Sequence, residues 1–73
     1  MIELSNDYIY EMDNRNGLYT LYRTKPDSTL CEEYCKGGTW IEIPFEEAAF
    51  ELDLVILTYE QACLRRDKIE AGE

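Results

Sequence analysis

Histidine is missing from the chain altogether. No Ser-His-Asp or Cys-His nucleophile can form, no imidazole can ligate a metal, and no histidine switch can work near neutral pH. Basic residues are scarce. Seven Lys and Arg stand against sixteen Asp and Glu, a formal net charge of −9 over 73 residues. Such an excess repels nucleic acid and anionic membrane and favours a basic partner. Glycine is sparse, and Gly37-Gly38 forms no phosphate-cradling motif. The longest apolar run, Leu54-Val55-Ile56-Leu57, is far short of the ~18 residues that suggest a membrane span. Residues Met1 to Asp7 show neither the basic region nor the apolar core of a secretion signal.

Cysteine is limited to Cys31, Cys35 and Cys63. An odd count without a secretion signal leads to an expectation of reduced thiols in the cytoplasm. Three thiols fall one ligand short of a structural zinc site. Along a strand, Cys31 and Cys35 would share a face roughly 13 Å apart, too far for a disulfide. No metal or cofactor is expected, and deep carboxylate clefts of the glycosidase kind are not expected in so small a domain. The expectation is a protein that is not an enzyme.

What the chain does contain is enough apolar material to fold. A content of 45% hydrophobic and 12% aromatic residues is too high for a disordered acidic tail, and the length allows one domain, residues 1–73. Residues 1–7 form an N-terminal segment and residues 8–43 read as a β-meander. Tyr8 to Met12 and Leu18 to Thr24 alternate around Asn16-Gly17, a strong hairpin signal. Lys25-Pro26-Asp27-Ser28 is a turn. Residues 29–36 allow two readings. Thr29 and Glu32 could cap a short helix, or the segment could be one arm of a hairpin turning at Gly37-Gly38 and returning as Thr39 to Ile43. The hairpin is preferred because Trp40 to Ile43 needs a strand neighbour.

No Gly or Pro interrupts Phe45 to Ala71. Pro44 suits a helix start, and Phe45, Ala48, Ala49, Leu52, Val55, Ile56, Tyr59, Ala62, Cys63 and Ile69 repeat at helical spacing. The expected fold is α+β: a small antiparallel meander of three or four strands with one long C-terminal helix, residues 44–71, on one face. The alternative is a ββ(β)αβα order, with a strand at 50–57 and a helix at 58–71. It rests on the period-two alternation of Phe50, Leu52, Leu54 and Ile56 and on the capping box of Thr58 with Gln61.

One long helix would carry two surfaces, and the meander a third. Phe50, Leu54, Leu57 and Leu64 fall about 100° to 180° around from Phe45. They form a second apolar stripe, covered by the N-terminal segment or presented to a second copy or another partner. Glu46, Asp53, Glu60 and Asp67 recur every seven residues and would lie in a row spanning about 31 Å. That is too sparse for a phosphate track by itself, so mimicry would need Glu32, Glu33, Glu42 or Glu11 of the meander to fill the gaps, with Glu32 and Glu33 taken as partner-binding acids. Tyr10, Tyr19 and Tyr22 are expected to expose rings that anchor a protein interface.

In size and composition, though in no residue pattern, the chain resembles the small acidic proteins with which phages block host enzymes or defence systems. That likeness implies an anti-defence or anti-CRISPR-like inhibitor acting in the host cytoplasm. It would cover a basic nucleic-acid-binding surface of a host protein, by DNA mimicry, without binding nucleic acid or membrane itself. The alternative is a homodimeric accessory or regulatory module with no inhibitory role.

Overall fold

A computed structural model describes residues 4–15, 19–28 and 30–72. The elements run β1 (Ile9–Asp13), β2 (Tyr22–Thr24), β3 (Cys31–Cys35), β4 (Thr39–Ile43), α1 (Phe45–Phe50), β5 (Leu54–Leu57) and α2 (Tyr59–Ala71). The strands form one sheet in the order β4-β3-β2-β1-β5, and every pairing is antiparallel. The fold is α+β, an antiparallel meander followed by helix.

The β3–β4 hairpin forms as its turn residues require. Gly37 and Gly38 sit at φ of 99° and 93°, a region open to glycine at little steric cost, and the Gly38 N–H donates to Cys35 O at 3.1 Å. The Lys25–Ser28 turn closes through the Ser28 N–H to Lys25 O, 3.0 Å. The Asn16-Gly17 turn, Leu18, residues 1–3 and the Thr29 half of the rejected capping box lie outside the described residues.

A single helix over residues 44–71 is not what the chain adopts. It divides into α1, β5 and α2, the order of the alternative reading. Two causes act together. The meander leaves one edge of β1 unpaired, and Leu54–Leu57 fills it in the register Tyr10↔Leu57 to Asp13↔Leu54. The buried Asp13 carboxylate then fixes the entry to the new strand by accepting from the backbone N–H groups of Arg15 and Asp53, both at 3.1 Å. At the other end, Thr58 Oγ1 accepts from Gln61 N at 3.1 Å, and Gln61 Oε1 accepts from Thr58 N at 2.9 Å. This reciprocal cap starts α2 afresh.

Register puts laterally paired residues on one face of the sheet. Tyr10, Leu21, Tyr34, Trp40 and Leu57 share the face beneath α2, packed with Leu4, Tyr8, Ala62, Cys63 and Ile69. Tyr22, Cys31, Ile43 and Leu54 share the opposite face, packed with Ala48 of α1 and Leu52 beyond it. Helical material therefore covers both faces, α2 one and α1 the other.

Beneath α2, Arg23 is gripped by aromatic rings. Its guanidinium lies 4.1 Å from the ring centres of both Tyr8 and Trp40, and its Nε donates to Glu32 Oε1 at 2.7 Å. Stacking and a charge-assisted bond satisfy the cation where water is scarce. The far end of α2 is tied down by Glu70. Its carboxylate accepts from the Tyr34 hydroxyl and, at 2.8 Å, from the Gly37 N–H.

Candidate functional site

From Gly37 to Leu64 the chain contains no Lys or Arg and six acids: Glu42, Glu46, Glu47, Glu51, Asp53 and Glu60. All six are exposed. Four of them gather around α1. Pro44 precedes this helix with φ of −56°, and Glu46 and Glu47 occupy its first turn, where the helix dipole favours carboxylates. Advancing about 100° per residue from Glu46 places Phe50 at about 40°, Glu47 at about 100° and Glu51 at about 140°, with Ala48 turned away at about 200°. Ala48 packs on Tyr22, Cys31 and Ile43, so the arc of acids points outward. Phe50 stands inside that arc, 76% exposed. Asp53 follows at the entry to β5, and Arg15 Nη1 donates to the Glu51 carbonyl oxygen at 3.2 Å.

The sheet beneath α1 adds to this acidity. Tyr22 pairs laterally with Glu33 on one side and Glu11 on the other, so both acids share its face. Glu11 accepts from Thr24 Oγ1 at 2.9 Å. Burial, and then the nearby Glu47 carboxylate, pushes the Glu33 carboxyl above the usual glutamate range. The Tyr22 phenol is pushed up to about 12 by burial first and by Glu33 next. A carboxylate held in such company favours any arrangement that brings a cation near it.

The sequence-derived surfaces fare unevenly. The row Glu46, Asp53, Glu60 and Asp67 does not exist, because it required one continuous helix. Glu46 lies on α1, Asp53 precedes β5, and Glu60 and Asp67 lie on α2. Glu32 and Glu33 are neighbours on one strand and so face opposite sides, Glu32 being engaged by Arg23. The apolar stripe dissolves for the same reason. Leu54 packs with the α1-side cluster and Leu57 with the α2-side cluster, whereas Phe50 and Leu64 are exposed on different helices. Tyr10 and Tyr22 are each only 3% exposed, since both faces of the sheet are covered. Tyr19 remains half exposed.

Phe50, which lies between Glu46 and Glu47 on α1 with Glu51 beside them, joins these acids in a grouping that the sequence reading did not assemble, because it set Phe50 in the apolar stripe. The available signal was the proline at the start of a short run dense in glutamate, followed by an independent capping box.

On the α2 side, a shallow depression of about 230 Å³ is lined by Tyr8, Lys25, Ser28, Leu30 and Glu32. Its acid already serves Arg23. The cysteines are free thiols, Cys31 buried and its thiol pushed up by burial. Among the described residues, no group of three His, Cys, Asp or Glu side chains could hold a metal ion, and no helix is long and apolar enough to cross a membrane. No protein-family model matches the chain, and neither a curated protein nor a solved structure shows significant similarity to it.

Proposed function

We propose that this chain is a small protein-binding inhibitor, acting in the cytoplasm, that covers a basic nucleic-acid-binding surface of its target with the acidic surface of α1. One observation carries the reading. Glu46, Glu47, Glu51 and Asp53 are exposed around the exposed ring of Phe50. Carboxylates steer a basic partner and set the register of contact, whereas an aromatic side chain supplies the desolvated centre that holds the complex. The role is non-enzymatic and requires no cofactor. The carboxylates would stand where phosphates stand when the target holds nucleic acid. Phage-encoded blocking of a host defence protein is the setting that this chemistry suits. The homodimeric-module alternative is weakened, because the four residues of its seam do not share a surface.

The test is affinity capture from bacterial lysate with the wild type and with a Glu46→Lys, Glu47→Lys, Glu51→Lys triple variant whose fold is first checked by circular dichroism. The wild type should retain a nucleic-acid-binding protein that added DNA or added salt releases. The triple variant should lose it. Retention of the same protein by the folded triple variant, or retention indifferent to DNA, removes the α1 surface from the mechanism.

A further inference from the structure

We propose that the outer edge of β5 is a docking site for an extended apolar segment flanked by lysine or arginine. The inference rests on the acidic-surface reading above and supplies its mode of contact. β5 closes one margin of the sheet. The Asn14 N–H donates to Asp53 O at 2.8 Å, next to the pair Asp13↔Leu54. Antiparallel alternation then directs the N–H and C=O groups of Val55 and Leu57 at β1. Those of Leu54 and Ile56 point away from the sheet. Among the described residues no strand pairs with that edge.

The two margins of the sheet differ. β4 carries Glu42 within the strand and is followed by Pro44, both of which discourage pairing with another chain. Every residue of β5 is apolar. Val55 is 42% and Ile56 69% exposed. An edge without a charge or a proline is a template for a further strand.

Charge selects the occupant. Asp53 precedes β5, Glu60 follows it closely, and Glu51 lies just beyond Asp53. A second copy on this edge must pair outward-facing residues with outward-facing residues; centred antiparallel on Val55, it sets Asp53 opposite Leu57 and brings Glu51 to the start of the other copy's α2, where Glu60 lies. That brings like charges together on chains of net charge −9. Basic flanks reverse the sign of the interaction at both ends. Main-chain hydrogen bonds to Leu54 and Ile56 would then supply the affinity, and alternate apolar side chains would pack beside Ile56.

The probe is a synthetic peptide of alternating valine and threonine with two lysines at each end, titrated into ¹⁵N-labelled protein beside a twin ending in glutamates. The lysine peptide should shift the Leu54 and Ile56 amides and slow their hydrogen exchange. The twin should bind at least roughly tenfold more weakly. Ile56→Pro removes an outward donor and no β1–β5 hydrogen bond, and should weaken the lysine peptide at least about tenfold. Should that variant lose its native spectrum, Ile56→Lys keeps the backbone donor, sets a cation on the edge and should repel the same peptide. Shifts confined to Glu46, Glu47, Phe50 and Glu51 would overturn the edge site and leave the acidic-surface reading standing. Equal binding of the twin, or no saturation up to about 1 mM, a Kd worth only ~4 kcal/mol, would overturn the edge site as well. A concentration-dependent dimer abolished by Ile56→Lys would assign the edge to a second copy and overturn the basic-segment proposal. The acidic-surface reading itself stands or falls separately on DNA release of captured protein.

Discussion

The two faces of the sheet are covered to very different standards. On the α2 side, a thirteen-residue helix begins in a reciprocal capping box and ends at Gly72, in the left-handed region with φ of 74°. Its surroundings are bonded throughout: Tyr59 Oη donates to Leu4 O at 2.7 Å, Arg23 lies between two rings, and Glu70 clasps the β3–β4 turn. On the α1 side, a six-residue helix has no side-chain cap and no base in its last turn. It leaves Phe50 in solvent and packs acid beside acid. Both sides bury a core cluster, but the capped helix and the Arg23 and Glu70 contacts lie on the α2 side. The α1 side retains exposed charge and exposed apolar surface that the fold does not require, and such surface is where contact with another molecule is to be sought.

The largest break in this contrast comes from Leu21, fully buried beneath α2. Leu21→Ala should cost about 2–5 kcal/mol through lost burial and the cavity left behind. Phe50→Ala should stay within about 0.5 kcal/mol of wild type, as surface changes do, while weakening partner binding. Urea unfolding of the two variants measures both. A Phe50 variant as unstable as the Leu21 variant would place Phe50 in the structural core and end the contrast.

Arg23→Lys ranks next. Lysine keeps the charge opposite Glu32 but cannot stack as a plane between Tyr8 and Trp40, so a loss of about 1 kcal/mol is expected, the lower range of a cation–π contact. Unfolding midpoints of Arg23→Lys and Arg23→Ala decide the matter. If lysine restores full stability, the charge matters and the stacking does not.

What could be read from the sequence follows the range of the forces involved. The β3–β4 hairpin was legible because its cause is local: two glycines must take positive φ, and strand-forming residues flank them. The capping box at Thr58 and Gln61 was legible for the same reason. The division of residues 44–71 was harder to read. Phe45 to Leu57 contains no breaker, and its apolar residues satisfy helical and strand periods alike. The deciding contact is the vacant edge of β1, distant in sequence. Once β5 forms, every inference drawn from continuous helical geometry fails with it, including the heptad of acids and the apolar stripe. The burial of Tyr10 and Tyr22 was hidden by the same step, since a sheet with one covering helix would leave tyrosines in solvent and this sheet has two. The Arg23 stack depends on Tyr8, just before β1, meeting Trp40 of β4, which no local pattern announces.

Thr58→Ala tests whether α2 depends on its own start signal. Losing a threonine cap costs roughly 1 kcal/mol, and the loss should appear as faster amide exchange across the first turn of α2 with β5 unaffected. Exchange that quickens equally through β5 would mean that strand and helix form one cooperative unit.

The finest comparison sets Glu70 against Glu33, one glutamate on each side. The Tyr34 hydroxyl, and then the Gly37 N–H, hold the Glu70 carboxyl below its ordinary value of 4.5. Its contribution to stability is therefore present above that ordinary value and lost as pH falls through the depressed one. Glu33 is displaced the other way, by burial and by Glu47. The folded state holds its proton more tightly than the unfolded state does. Stability accordingly declines as pH rises from the ordinary glutamate value through the raised one. Urea midpoints collected across acidic to neutral pH should separate the two. Glu70→Gln should be less stable than wild type at neutral pH, the difference shrinking in acid. Glu33→Gln should be at least as stable as wild type at neutral pH, its advantage vanishing in acid. A Glu33→Gln protein that is less stable at neutral pH would show that the carboxylate is needed by the fold. A basic partner seated over α1 would favour the ionised Glu33 and lower its pKa. Binding should then release protons in the range between the raised and lowered values, and affinity should increase with pH across that range. Calorimetry of the complex in buffers of different ionisation enthalpy counts those protons. A count of zero, with Glu33→Gln binding as wild type does, would place the partner away from Glu33 and confine contact to the outer arc of Glu46, Glu47, Phe50 and Glu51.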